Sequence, residues 1–186
     1  MSTAIILNEP AKTALVDADG FVIGDSEDGG KPKLALVSSL RQQIAAGIVN
    51  LTVATLTVTQ LLHGGQTITI NRAAGSTITL PAATGTGAVY RFFVGTTVTS
   101  VAIVIQAASA SDSMTGKAIV AQDGGDTLVM FETATDSDTI TMNGGTKGGF
   151  LGDMIELIDI KTGKFWVRVV SSATDTEASP FSAAVS

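Results

Sequence analysis

The sequence predicts a mainly β protein: a β-sandwich or jelly-roll-like domain preceded by an N-terminal arm, a β-hairpin and one short helix. Three observations predict this class. Threonine, which is β-branched and favours strands, is even more frequent than glycine. Glycine supplies 20 of 186 residues against only 4 prolines, which indicates many tight turns. Short segments with alternating apolar residues recur at the spacing that is typical of sandwiches and barrels.

The N-terminal region begins with an apolar run, Ala4–Leu7, which Pro10 terminates. This run predicts an arm or a lone edge strand. Residues 14–16 and 21–23 are apolar and flank Asp17-Ala18-Asp19-Gly20, which has the composition of a turn. The two segments therefore predict a β-hairpin.

Residues 33–46 predict the one helix. Leu36, Val37, Leu40 and Ile44 repeat at helical spacing, and Gly47 is placed to end the helix. A helix of this length is marginal in isolation, so its apolar stripe requires a partner surface.

From Ile48 onward the apolar period changes to two, which predicts strands. Lys161-Thr162-Gly163 predicts a tight hairpin between the last two strands. The chain divides into an attachment region at 1–48, a β-rich body at 49–170 and a C-terminal tail without strands at 171–186. The predicted strands of the body are 50–59, 66–70, 76–80, 89–94, 98–105, 118–121, 127–132, 138–142, 153–160 and 164–170.

Composition and charge argue against several classes of function. The net charge of −6 lacks the basic surplus that nucleic-acid binding needs, and no apolar run is long enough for a membrane span. The chain has no cysteine and one histidine. We therefore expect no enzyme, no cofactor and no metal.

A few residues nevertheless suggest chemistry. His63 stands beside two glycines, and Gly144–Gly149 and Gly116-Lys117 resemble phosphate loops without completing the motif. We expect a turn or packing histidine at His63 and turns at the other two segments. Asp25, Glu27 and Asp28 could hold a cation through oxygen ligands, although solvated loop acids are the simpler interpretation.

Threonine pairs two residues apart share one strand face, as in Thr67/Thr69 and Thr77/Thr79. A regular stack of such pairs could order water. Only the ten-residue offset between these two pairs is regular, which disfavours that function. Trp166 is expected to be buried within its strand.

Residues 16–44 contain VDADGFVIGD followed by KLALVSSLRQQI. This order resembles a segment of bacteriophage virion proteins, in which a hairpin D-x-x-x-I-x-D precedes a helix K-x-x-L-x-x-L-x-x-x-I. The segments GQTITI and GSTITLPAATGTGAVYRFFV are similar to β-domains of phage fibres and head decoration proteins. The resemblance spans about residues 14–170 and implies homotrimers on a virion without catalytic residues.

Within this resemblance, the short chain with one arm and one compact β-domain favours a capsid decoration (cement) protein on the outer surface of the head, which binds the assembled head as a trimer and stabilises it. A tail fibre or receptor-binding protein is the alternative, and a glycan-cleaving enzyme is a remote third. The expected partners are two further copies of the chain and the major capsid protein, with no nucleic acid and no membrane. The residues expected to contact the shell or a partner are Ile5, Ile6, Leu7, Leu36, Leu40 and Ile44.

Overall fold

The computed structural model describes residues 20–25, 29–36, 47–122, 127–174 and 176–185. The chain divides into two compact units, Met1–Ala46 and Gly47–Ser186.

The described part of the first unit is a β-hairpin. Strand β1 (Gly20–Asp25) pairs antiparallel with β2 (Lys31–Leu36), and Gly29 and Gly30 before β2 have φ values of 65° and 79°. Residues 21–23 form a strand as predicted, but in the described hairpin they pair with 33–35. The predicted turn, Asp17–Gly20, is wrong at Gly20, which belongs to β1. Residues 14–19 lie outside the described residues.

The predicted helix at 33–46 is wrong over its first residues. Residues 33–36 end strand β2, where the cross-strand partners of β1 satisfy the backbone groups that a helix would satisfy internally. Residues 37–46 lie outside the described residues, as do residues 1–19 with the predicted arm.

The second unit is mainly β, as predicted. Its only described helix is a single turn, α1 (Gln60–His63), which Thr59 caps and which the sequence pattern did not predict. The strands of this unit are β3 (Ile48–Leu51), β4 (Thr55–Thr57), β5 (Thr67–Ile70), β6 (Thr77–Thr79), β7 (Val89–Val94), β8 (Ile103–Gln106), β9 (Ser113–Gln122), β10 (Leu128–Glu132), β11 (Thr139–Met142), β12 (Met154–Lys161), β13 (Lys164–Ala173) and β14 (Phe181–Ser182).

Two mixed sheets form the body. A seven-stranded sheet has the order β10-β9-β13-β12-β7-β5-β3, and a five-stranded sheet has the order β14-β11-β8-β6-β4. The predicted hairpin at Lys161–Gly163 is confirmed, since β12 and β13 pair antiparallel around it.

The first six strands of the body form three stacked coils. In each coil one strand enters the seven-stranded sheet and the next enters the five-stranded sheet: β3 with β4, β5 with β6, and β7 with β8. Neighbouring coils pair in parallel within both sheets. The predicted single strand at 50–59 is therefore two strands that belong to different sheets.

Alternate residues of both sheets point into one hydrophobic core. Its largest fully buried side chains include Tyr90, Phe92 and Phe165 from the seven-stranded sheet and Ile105 and Ile140 from the five-stranded sheet. This arrangement is that of a β-sandwich.

The C-terminal residues correct the prediction of a tail without strands. Strand β13 continues to Ala173, and Phe181–Ser182 form β14 at the edge of the five-stranded sheet. The reason is the burial of Phe181, which joins the core at 9% exposure.

Candidate interaction surface

Five of the six predicted contact residues, Ile5, Ile6, Leu7, Leu40 and Ile44, lie outside the described residues. The sixth, Leu36, ends β2 opposite Gly20 and is not on a helix as predicted. The described residues therefore do not bring the predicted contacts together, and the surface that follows was not predicted.

The residues that suggested chemistry have mostly structural surroundings. His63 is 8% exposed, and its Nδ1 lies 3.0 Å from the backbone nitrogen of Thr59 and 3.2 Å from the carbonyl oxygen of the same residue. In the Gly144–Gly149 loop, Asn143 Oδ1 accepts hydrogen bonds from the backbone nitrogens of Gly145 and Lys147. This loop is a turn, as predicted. Lys117 belongs to strand β9 and not to a turn as predicted.

The acidic loop was considered as a cation site. Asp25 ends β1, whereas Glu27 and Asp28 lie outside the described residues. Among the described residues, no group of three or more His, Cys, Asp or Glu side chains is placed to hold a metal ion.

Asp159 organises the loop before β7. Its buried carboxylate accepts hydrogen bonds from the backbone nitrogens of Thr84, Gly85 and Thr86, at 3.2, 2.7 and 3.1 Å, and from the hydroxyls of Thr84 and Thr86. Burial alone would raise the pKa of Asp159, but these hydrogen bonds, those from Thr86 foremost, hold the pKa below its ordinary value. The carboxylate therefore remains charged and fixes the loop.

Two further buried carboxylates fix chain segments in the same way. Asp138 accepts hydrogen bonds from the backbone nitrogens of Ala184 and Val185; burial opposes ionisation, yet these hydrogen bonds lower the pKa of Asp138. Asp153 accepts from the backbone nitrogens of Gly149, Phe150 and Ser172. Burial outweighs these hydrogen bonds and raises the pKa of Asp153.

The outward surface of strands β7, β12, β13, β9 and β10, which we call the β13 face, carries a row of charged residues of both signs. The cross-strand register places Glu132, Lys117, Arg168, Glu156 and Arg91 side by side. Glu156 accepts from Arg91 at 2.9 Å and from Arg168 at 3.2 Å, and Lys117 lies 3.1 Å from Glu132. The charges along this row are therefore paired within the chain.

Apolar rows flank this charged row on both sides. On one side the register aligns Met130, Ile119, Val170, Met154 and Phe93 across five strands. This row spans four inter-strand steps, about 19 Å.

On the other side of the charged row the register aligns Trp166 with Ile158 and Val89. Trp166 was predicted to be buried, but it is half-buried on the outer face, with the Arg168 guanidinium 6.0 Å from its ring centroid. Trp166 lines a mainly apolar groove of about 280 Å³ with Met130 and Ile119.

A signal for this face exists in the sequence. Residues 154–158 read MIELI, with apolar side chains at both parities of the strand, and 164–170 read KFWVRVV. A strand with one solvated face alternates apolar and polar residues, whereas a strand covered on both faces is apolar throughout. This pattern was sufficient to predict a strand. Because apolar residues occur at odd and at even positions, it also indicated that both faces of the strand are covered.

The outward surface of the five-stranded sheet is different in kind, because its residues are uncharged. Thr55 and Thr57 stack in register on Thr77 and Thr79. The threonine pairs with the ten-residue offset, 67/69 and 77/79, do not stack on each other, because β5 and β6 belong to different sheets.

The first coil of the stack exposes apolar side chains. Ile48 is 75% exposed, and Leu61 and Leu62 of α1 are 93% and 66% exposed. Exposed apolar residues in such concentration are typical of a surface that contacts another protein.

Comparison with protein-family models, with curated proteins and with solved structures found no match to this chain. No helix among the described residues is long and apolar enough to span a membrane.

Proposed function

We propose that this chain is a structural protein of a virion, and specifically a capsid decoration protein that binds the assembled head and stabilises it without chemistry. The observation that carries the proposal is the pair of separate apolar surfaces on one β-sandwich, the β13 face and the exposed first coil. A decoration protein needs one surface for its own copies and another for the shell. The resemblance of residues 14–170 to phage fibres and head decoration proteins supports a structural role in a virion.

Binding alone is sufficient for this function. A protein that binds the assembled shell and not its separated subunits stabilises the shell by mass action. An oligomer binds more strongly than a single copy, because each further attachment occurs at high effective concentration once the first is made. The homotrimer and the major capsid protein as partner remain predictions from the resemblance.

We propose that residues 1–48 make the attachment to the shell and that the body projects outward. The support is the apolar run Ala4–Leu7, whose composition suits strand addition to a neighbouring sheet edge. Deletion of residues 1–12 should abolish binding to particles while the circular dichroism of the body is unchanged. The matched control is Val101→Ser, which removes an exposed apolar side chain of the body outside both apolar surfaces. Undiminished occupancy of the deletion variant on particles would contradict the assignment.

The function itself is tested on particles that lack the protein. They should assemble, but they should release their genome at lower temperature than complete particles. Particles of unchanged thermal stability would contradict the proposal.

Receptor binding is the second candidate, and one observation favours it. Trp166 presents part of its ring in an open groove beside Lys117 and Arg168, as a site that stacks a sugar ring would. If particles without the protein are equally stable but fail to adsorb to host cells, and if Trp166→Ala reproduces this failure, receptor binding is the function.

A further inference from the structure

We infer that the β13 face is a self-complementary docking surface for a second copy of this chain, related to the first by a two-fold axis that runs along β13. The inference does not depend on shell binding, since it concerns the free protein. It rests on the order of charged and apolar rows across five strands.

The first step is the need for a cover. The apolar row from Met130 to Phe93 and the Trp166 row are both on the outside of the sheet, and Met130 and Val170 are 57% and 42% exposed. Central strands with apolar residues at both parities are normally covered on both faces. Among the described residues the inner face meets the core, while the outer face retains this exposure.

The second step is the symmetry of the charged row. Two sheets that pack face to face can be related by a two-fold axis lying between them, and such an interface is isologous. With the axis along β13, strand β9 faces the partner's β12 and β10 faces the partner's β7, because the sheet order is β10-β9-β13-β12-β7. Lys117 then faces the partner's Glu156, and Glu132 faces the partner's Arg91. Opposite charges meet at four positions of the interface.

The residue on the axis, Arg168, faces the partner's Arg168. This like-charged pair is tolerated because each guanidinium already has Glu156 of its own chain at 3.2 Å and lies over Trp166. If the axis ran along β12 instead, Arg168 would face the partner's Arg91, and Lys117 would lie beyond the partner's Arg91. Neither Arg168 nor Lys117 would then face an opposite charge. The charge order therefore favours the axis on β13, with opposite charges at four positions, over the axis on β12.

The apolar rows agree with the same axis. Val170 faces the partner's Val170, Ile119 faces the partner's Met154, and Met130 faces the partner's Phe93. On the other side of the charged row, Trp166 faces the partner's Trp166. Every row therefore opposes a row of its own kind, which is the pattern of a specific interface with apolar area and paired charges.

The experiment measures the mass of the full chain in solution by native mass spectrometry and sedimentation at micromolar concentration. We expect an even number of copies: two, or six if the predicted trimer also forms. Val170→Glu places two carboxylates against each other on the axis and should weaken pairing at least tenfold. The matched control is Val101→Glu, at an apolar side chain that is 66% exposed and lies between β7 and β8, outside the β13 face, and it should leave the mass unchanged.

A second pair of variants distinguishes pairing from damage to the fold. Lys117→Glu and Glu156→Lys should each dissociate, since each puts like charges at two positions. Mixed in equal amounts, they should form a heterodimer in which positions 117 and 156 of the two chains face each other with opposite charges. Circular dichroism checks that each variant is folded.

A mass of one or three copies, or full pairing of the Val170→Glu variant, would overturn the inference. The same holds if the chain is monomeric and Val170→Glu instead loses binding to particles, because the β13 face would then contact the shell. No gain of mass on mixing the two charge variants would exclude the axis along β13.

Discussion

Asp159 shows how one buried side chain determines the path of a loop. Three consecutive backbone nitrogens at residues 84–86 converge on its carboxylate, together with two threonine hydroxyls. These donors have no other described acceptor of comparable geometry, so the loop before β7 depends on a group that is distant in sequence. Asp138 and Asp153 perform the same role for the C-terminal segment and for the turn before β12.

We predict that Asp159→Asn lowers the free energy of unfolding by about 3 kcal/mol, because an amide NH2 would replace an acceptor that faces buried donors. Urea denaturation measures the change. The control is Asp136→Asn, at an exposed acid in the turn before β11, which should alter stability by less than about 0.5 kcal/mol. Equal effects of the two substitutions would contradict the role of Asp159.

The three buried acids predict a stability profile with two opposing parts. The folded-state pKa values of Asp138 and Asp159 are lowered, so their contribution is present above the unfolded value near 4 and is lost as the pH falls through the folded values. The pKa of Asp153 is raised, so the folded state binds its proton more tightly. As the pH falls from the raised pKa of Asp153 to its ordinary pKa, protonation of this carboxylate therefore increases the stability of the fold.

The measurement is the urea midpoint at pH values from about 3 to about 7. Asp153→Asn should remove the gain in stability that accompanies mild acidification, and Asp159→Asn should reduce the loss at lower pH. A profile that neither substitution changes would show that other groups determine the acid response.

The strands and their sheet assignment belong to the next scale, and here the sequence carried much of the answer. Period-two alternation located most strands of the body, since a strand's two faces differ in burial. It did not reveal that residues 50–59 divide between two sheets, although the apolar alternation changes parity at Val53-Ala54, between buried Leu51 and buried Val58. It also misassigned residues 33–36, which have the leucine spacing of a helix. These residues belong to strand β2, which pairs with β1 across a short loop.

The candidate surface was less accessible to sequence reasoning. Lys117 and Glu156 are 39 residues apart in the chain, and only the non-sequential order β9-β13-β12 places them two strands apart on one face. Nothing local in either strand specifies that order. The predicted contacts concentrated instead on apolar residues of the first 48, where the spacing was visible.

Stacked coils approach each other closely at glycine, and Gly75 is the clearest case. Its φ is +75°, and a Cβ at this position would lie 2.3 Å from the carbonyl oxygen of Val101 and 2.4 Å from that of Ala102. We predict that Gly75→Ala costs about 3 kcal/mol of stability through strain and overlap. Gly87→Ala is the control, since its φ of +74° is alike but no atom lies within 4 Å, and its cost should be about 1 kcal/mol. Equal costs would show that the close approach is easily relieved.

For the whole molecule, the two compact units predict independent folding of the larger one. Residues 47–186 contain both sheets of the body and its hydrophobic core. We expect this fragment to show the β-type circular dichroism of the full chain and a cooperative urea transition at a similar midpoint. The loss of cooperativity in the fragment would show that residues 1–46 are required for the core.

The parallel stacking of the coils also bears on how the length of this protein can change. Each coil adds one strand to each sheet and returns the chain to the side from which it entered, so the backbone edge that β3 and β4 present is the same kind of edge that β5 and β6 present. A duplicated segment of about 20 residues could therefore be inserted between coils, with neither the antiparallel half of the sandwich nor the β13 face displaced from its register. Length in such a protein is a quantity that gene duplication can adjust in whole steps.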